Sequence, residues 1–190
     1  MKKLAKRRRI VLVCGPSGGG KSFLVKKFVN SVHISTDDFY IGKSKMKPDE
    51  NGVYNFDSPH AVDIEACAEV VRSLATLPTG SHVSVPNYDM KTSEPVGTKV
   101  LIVPDDQATV AVEGIFSFHP PLLEMGDFRI FVEPPAEVIL ARRYKRDTEE
   151  RGRNPISILQ QYPTVIQGYD QYIKPGKKFA DLIIDFGILV

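Results

Sequence analysis

Ile10-Val11-Leu12-Val13-Cys14-Gly15-Pro16-Ser17-Gly18-Gly19-Gly20-Lys21-Ser22 is the stretch from which the rest of the chain can be read. Its first four residues are aliphatic, mostly β-branched, and run into turn residues. That is the pattern of a short strand buried on both faces. Gly15 to Ser22 then fits G-x-x-x-x-G-K-[ST]. Gly15, Gly18, Gly19 and Gly20, with Ser17 between them, let the backbone turn its N–H groups toward an anion and approach it closely. A helix opening at Lys21 aims its positive end at the same point. Lys21 is then the residue to reach the β- and γ-phosphates of a nucleoside triphosphate, and the Ser22 hydroxyl the one to ligate Mg²⁺. A strand before the motif and a helix after it are the context that separates a phosphate cradle from a chance glycine-rich turn.

Outward from this motif, strands and helices alternate. Lys21 to Val29 has helical spacing, with Phe23, Leu24, Lys27 and Phe28 on one face. Val32 to Ser35 reads as a second strand and residues 41–60 as an exposed loop. Ala61 to Leu77 reads as a long helix with Val62, Cys67, Val70, Val71 and Leu74 toward the core, stopped by Pro78-Thr79-Gly80-Ser81. His82 to Pro86 and Val100 to Val103 form a hairpin-like β excursion within residues 81–103. Thr109 to Val112, Arg129 to Val132 and Leu182 to Ile184 supply further core strands. Glu137 to Arg146 is helical. Pro155 to Gln171 is helical too, with a break or kink expected at Pro163. The expectation is an α/β P-loop fold: a five-stranded parallel sheet flanked by helices in one domain. Ligands in such sheets bind at the carboxyl ends of the strands.

Composition narrows the class. The 190 residues are 42% hydrophobic and 25% charged, which suits one globular domain at roughly 150 residues per domain. Two cysteines, Cys14 and Cys67, are too few for a disulfide scaffold. No apolar run approaches the roughly 18 residues that would span a membrane. The net charge is +2, but Lys2, Lys3, Lys6, Arg7, Arg8 and Arg9 crowd the start. Setting those six aside leaves 19 bases against 23 acids. A general nucleic-acid-binding surface is therefore not indicated. Residues 1–9 read as a solvated basic tail, because the apolar run behind them is too short for a signal peptide. A cytoplasmic location is the default. His33, His60, His82 and His119 are scattered without metal-ligand spacing.

A P-loop alone does not separate a kinase from a GTPase switch or a motor ATPase, so the other strand ends must decide. The second strand ends in Ser35-Thr36-Asp37-Asp38-Phe39-Tyr40. A carboxylate there can take a proton from a substrate hydroxyl, and the sequence leaves open whether Asp37 or Asp38 does so. The third core strand ends in Glu113-Gly114, placing an acid beside the P-loop for Mg²⁺. Arg142 to Arg153 crowds six bases among three acids. It reads either as a solvated helix face with i,i+4 pairs or, beside a P-loop, as a lid over residues 142–157. The arginines of such a lid stabilise the transferred phosphoryl group and exclude water.

These elements together resemble the uridine–cytidine kinases and the wider phosphoribulokinase/uridine kinase group. The resemblance also covers Asn55-Phe56-Asp57-Ser58-Pro59, Val85-Pro86-Asn87-Tyr88-Asp89, Val112-Glu113-Gly114-Ile115, Ile158-Leu159-Gln160-Gln161-Tyr162 and Lys177 to Ile184, in order along nearly the whole chain. It implies an ATP- and Mg²⁺-dependent transfer to a nucleoside 5′-hydroxyl, with Asp37 as base. It further implies Asp57 on the ribose hydroxyls, Tyr40 and Tyr88 shaping the nucleoside pocket, and Gln161 on the substrate side. Ser22 and Glu113 would organise the metal. Arg143, Arg146 and Arg151 would act on the transferred group, and Arg153 on ATP. Family members place an aromatic residue, a His and an Arg where this chain has Met90, Ser93 and Pro95. They also carry a further C-terminal helix that is not expected here. A kinase for another sugar- or alcohol-like metabolite, and a regulatory nucleotide-binding protein without transfer activity, remain open. So does homo-oligomer formation.

Overall fold

A computed structural model describes residues 7–50 and 52–186. Five parallel strands form the main sheet: β1 (Arg9–Cys14), β2 (Ser31–Ser35), β5 (Thr109–Glu113), β6 (Phe128–Val132) and β7 (Leu182–Ile184), in the order β2-β5-β1-β6-β7. The helices are α1 (Lys21–Val25), α2 (Ile64–Thr76), α3 (Leu122–Met125), α4 (Ala136–Glu149) and α5 (Pro155–Gly168). A separate antiparallel hairpin pairs β3 (His82–Asp89) with β4 (Glu94–Ile102). Thus the expected α/β sheet and β excursion are both present.

The period-2 alternation of β1 builds two cores, one on each face. Ile10, Leu12 and Cys14 pack with Ile34, Val112 and Phe131 against Cys67, Val71 and Leu74 of α2. Val11 and Val13 face the other way, with Ala111, Ile130 and Val132, onto Val25 and Leu24 of α1. Asp63 caps α2 by accepting from the Ala66 N–H at 2.9 Å. Strand register sets the site. Val13 and Ser35 both pair with Glu113. The segments that follow β1, β2 and β5 therefore leave the sheet at one level and open on the same edge.

Several expectations change. The first helix ends at Val25, and tighter turns carry the chain on through N–H bonds from Lys27 to Leu24 O and from Phe28 to Val25 O. Phe23, expected on the buried face, is 53% exposed, with the Lys27 ammonium over its ring. Residues 41–60 are not a uniformly exposed loop. They contain 3₁₀ turns at Lys43–Lys45 and Pro59–Ala61, and Asp57 within them is buried. α5 continues through Pro163 without a break. The carbonyl that Pro163 leaves without a helical donor belongs to Leu159, which faces solvent and can take water instead.

The tail also fails at its described end. Arg9 opens β1, and Arg7 grips Asp127 with two bonds of 2.7 and 2.9 Å. Arg8 is only 2% exposed. Its guanidinium donates to the carbonyls of Leu74 and Leu77 at the end of α2, to Pro104 O and Asp105 O, and to Thr79 and Asp106 side chains. A helix end has carbonyls to satisfy, and Arg8 satisfies them from another strand. Lys2, Lys3 and Lys6 lie outside the described residues. Among the described residues, no helix is long and apolar enough to cross a membrane.

Candidate active site

The edge where the three strands end is hollowed into a cleft of about 820 Å³. Its floor is the glycine-rich loop. Gly18 and Gly20 have φ of +87° and +101°, the left-handed region that only glycine enters without strain. Ser17, Gly18, Gly20, Lys21 and Ser22 line the cleft, whereas Gly15 and Gly19 do not and serve the backbone path. The Lys21 ammonium lies back on Gly15 O and Pro16 O at 3.0 Å each. Ser22 Oγ donates to Glu113 Oε1 at 2.8 Å. Burial pushes the Glu113 carboxyl above its ordinary range, with the Asp37 charge adding to the rise and the Lys21 charge opposing it.

This arrangement fits Mg²⁺ and a polyphosphate. A hydroxyl and a carboxylate already in contact offer two hard oxygens, and Mg²⁺ takes its remaining ligands from phosphate and water. Eight lysine and arginine side chains line the cleft against four carboxylates, which favours an anionic ligand.

Asp37 and Asp38 separate cleanly. They lie on the 3₁₀ turn after β2, where Ser35 Oγ accepts from the Asp37 N–H at 3.2 Å. Asp37 lines the cleft. Asp38 turns to the hairpin and pairs with Lys99 of β4 at 2.7 Å. Asp57, 6% exposed, lines the cleft too. Burial raises its pKa, partly countered by the Arg143 charge. Tyr40 and Tyr88 meet with ring centroids 5.3 Å apart, and the Tyr40 hydroxyl donates to Phe56 O at 3.2 Å. Burial pushes the Tyr88 phenol up to about 12. Gln161, on α5, bridges the two sides. Its amide oxygen accepts from Arg153 at 2.5 Å and its amide nitrogen donates to Tyr54 O at 3.4 Å.

The arginine segment folds over the cleft around one carboxylate. Asp147 is fully buried. Arg146, Arg151, Arg153 and Arg143 approach it at 2.9, 3.4, 3.6 and 3.7 Å. All four arginines also line the cleft, so the solvated-face alternative fails. Arg146 reaches the phosphate loop itself, donating to Ser17 Oγ at 3.0 Å. Burial and the neighbouring Arg146 charge lower the Arg151 pKa. Asp147 went unassigned in the sequence. Its signal was an acid four residues from Arg143 on one side and from Arg151 on the other, the i,i+4 spacing of one helix face. Tyr144, on the same helix, is exposed and does not line the cleft. Lys43 and Tyr54 do, and no motif in the sequence marks them. The Cys14 thiol, pushed up to about 11 by burial, donates to Ile115 O and is a packing residue.

Known proteins resemble this chain in sequence and in fold. The phosphoribulokinase/uridine kinase family model matches residues 10–188. A uridine kinase of Staphylococcus aureus (strain JH9) is 34% identical over 190 residues, covering 96% of this chain and 89% of that protein. A uridine kinase-like protein 5 of Arabidopsis thaliana is 33% identical, covering 94% of this chain. The chain spans less than two-fifths of the length of that plant protein (39%) and of a Dictyostelium discoideum uridine-cytidine kinase A (36%). Among solved structures, phosphoribulokinase from Rhodobacter spheroides superposes with a TM-score of 0.62 at 17% identity, covering 95% of this chain and 70% of that one, and bears on the fold alone. The family model runs from the second residue of β1 to beyond β7, taking in the cradle, the Asp37 turn, the Glu113 strand end and the arginine segment. On that span, this chain belongs to the phosphoribulokinase/uridine kinase family.

Proposed function

We propose that the protein is an ATP-dependent phosphotransferase that acts on the 5′-hydroxyl of a pyrimidine nucleoside. The observation that carries it is one cleft holding two chemistries: the Lys21, Ser22 and Glu113 cradle, and the Asp37 carboxylate facing it from the neighbouring strand end. Lys21 leaves its two loop carbonyls for the phosphates. Ser22 and Glu113 would hold Mg²⁺, which would supply positive charge to offset that of the polyphosphate. Asp37 accepts the hydroxyl proton as the acceptor oxygen bonds to the γ-phosphorus. The bond from that phosphorus to the β–γ bridging oxygen breaks, and ADP leaves with the electron pair. Arg143, Arg146 and Arg151 stabilise the equatorial oxygens, and Arg153 helps hold ATP. Asp57 binds ribose hydroxyls, between Tyr40, Tyr88 and Gln161. Two free, buried thiols, Cys14 and Cys67, suit a reducing, cytoplasmic setting.

The test is direct. The protein is incubated with Mg-ATP and uridine, cytidine, adenosine, guanosine, pantothenate, ribulose 5-phosphate or glycerate singly, and product is identified by mass. Monophosphate from uridine or cytidine is the expected result. ATP binding without any nucleoside product overturns the nucleoside assignment. Product from another acceptor favours the second reading, a kinase for a different hydroxylated metabolite. Met90, Ser93 and Pro95 on the hairpin motivate that reading.

A further inference from the structure

The hairpin tip is fastened to the loop after Tyr40. The Lys43 N–H donates to Ser93 O at 2.8 Å. Ser44 donates to the Glu94 carboxylate twice, from its N–H at 2.7 Å and its hydroxyl at 2.9 Å. Gly42 makes the approach possible. Its φ is +93°, and a Cβ there would collide with the Glu94 carboxylate and the Pro95 ring. Two successive hairpin residues, Ser93 and Glu94, thus hold one short turn, Lys43–Lys45.

What the turn presents is Lys43. Its side chain lines the cleft on the wall shared with Tyr54, Tyr88 and Met90. Its ammonium sits 4.8 Å from the centre of the Tyr54 ring. Among the described residues, no carboxylate lies within ion-pair distance of it. A cation resting on a ring face keeps its three N–H donors for a ligand and has no acceptor to offer. The phosphate chemistry uses none of this.

We propose that Lys43 is the specificity-determining residue for the phosphate acceptor. It donates to a carbonyl or anionic oxygen at the end remote from the transferred hydroxyl, and it disfavours an amino group there. The inference rests on the phosphotransferase reading only for which hydroxyl reacts. Uridine and cytidine make the sharpest probe, because they differ by an oxygen or an amino group at one ring position.

The test measures kcat/KM and equilibrium binding for both nucleosides with wild type, Lys43→Met and Lys43→Arg. Uridine should be preferred over cytidine. Lys43→Met should lower kcat/KM for uridine about tenfold, the scale of one charged hydrogen bond, and flatten the preference. Lys43→Arg should restore it, and ATP affinity should hold throughout. Uridine turned over equally well by Lys43→Met overturns the Lys43 assignment and leaves the kinase reading intact. Uridine bound but not phosphorylated, with binding weakened by Lys43→Met, supports Lys43 and overturns the kinase reading. Neither binding nor turnover of uridine, with ribulose 5-phosphate phosphorylated and weakened by Lys43→Met, identifies the oxygen as anionic and supports the proposal. No acceptor in the panel showing sensitivity to Lys43→Met overturns it.

Discussion

The two sides of the cleft are built in opposite ways. The phosphate side is compact in sequence: Gly15 to Ser22 is one loop, and Glu113 joins it through strand register. The acceptor side is assembled from distant pieces. Tyr40 and Lys43 follow β2, Asp57 lies beyond a turn, Tyr88 is on a hairpin and Gln161 on α5. A contiguous cradle binds what all triphosphates share. A dispersed wall can change one residue at a time, and on the proposed reading it is where the acceptor is chosen.

Lys21→Ala should break the phosphate side outright, abolishing transfer and ATP binding together, as read by calorimetry and product mass. Retained ATP affinity would separate Lys21 from the cradle. Asp37→Asn should divide the two sides. Transfer should fall by roughly 10²–10⁴-fold, the range for a general base, with ATP bound nearly as before. An active Asp37→Asn enzyme would remove Asp37 as base.

Asp147→Asn tests what joins the sides. It should lower kcat about ten- to a hundredfold while moving the KM for the acceptor little if, as proposed, the arginines act on the transferred group. It should also cost about 1–3 kcal/mol of stability in a urea titration, since four guanidinium groups lose their shared anion. An unchanged kcat would leave Asp147 a purely structural residue.

Asp57→Asn should have the smallest effect on kcat and the most telling effect on stability. Burial raises the Asp57 pKa above its ordinary 3.8. The native state therefore holds this proton to higher pH than the unfolded chain does. Wild-type stability relative to the variant should fall as pH rises from 3.8 through the raised value, then level off. The variant should melt higher at neutral pH yet bind the acceptor more weakly. A lower melting point would show that the Asp57 charge is compensated.

The sequence carried the parallel sheet because β1 and its loop obey local rules, and it carried Lys21 and Ser22 for the same reason, while Glu113 was legible as the acid that ends a buried strand. Asp37 and Asp38 could not be told apart there, because the choice depends on Lys99, sixty-one residues away on β4. Asp147 was visible only as an acid among bases. Its burial comes from α4 lying over the cleft, a tertiary fact. Lys43 depends on the Glu94 clasp, a contact between a loop and a hairpin tip that no spacing encodes. Asp57, Tyr88 and Gln161 came from family resemblance rather than from their own chemistry, and all three line the cleft.

Arg8 carries a practical consequence for anyone trimming or tagging the molecule. Its guanidinium closes the end of α2 and the segment leading to β5 in a single grip. The usable starting point for a shortened version therefore lies before Arg7. A cut that takes Arg8 removes a clamp on two distant segments.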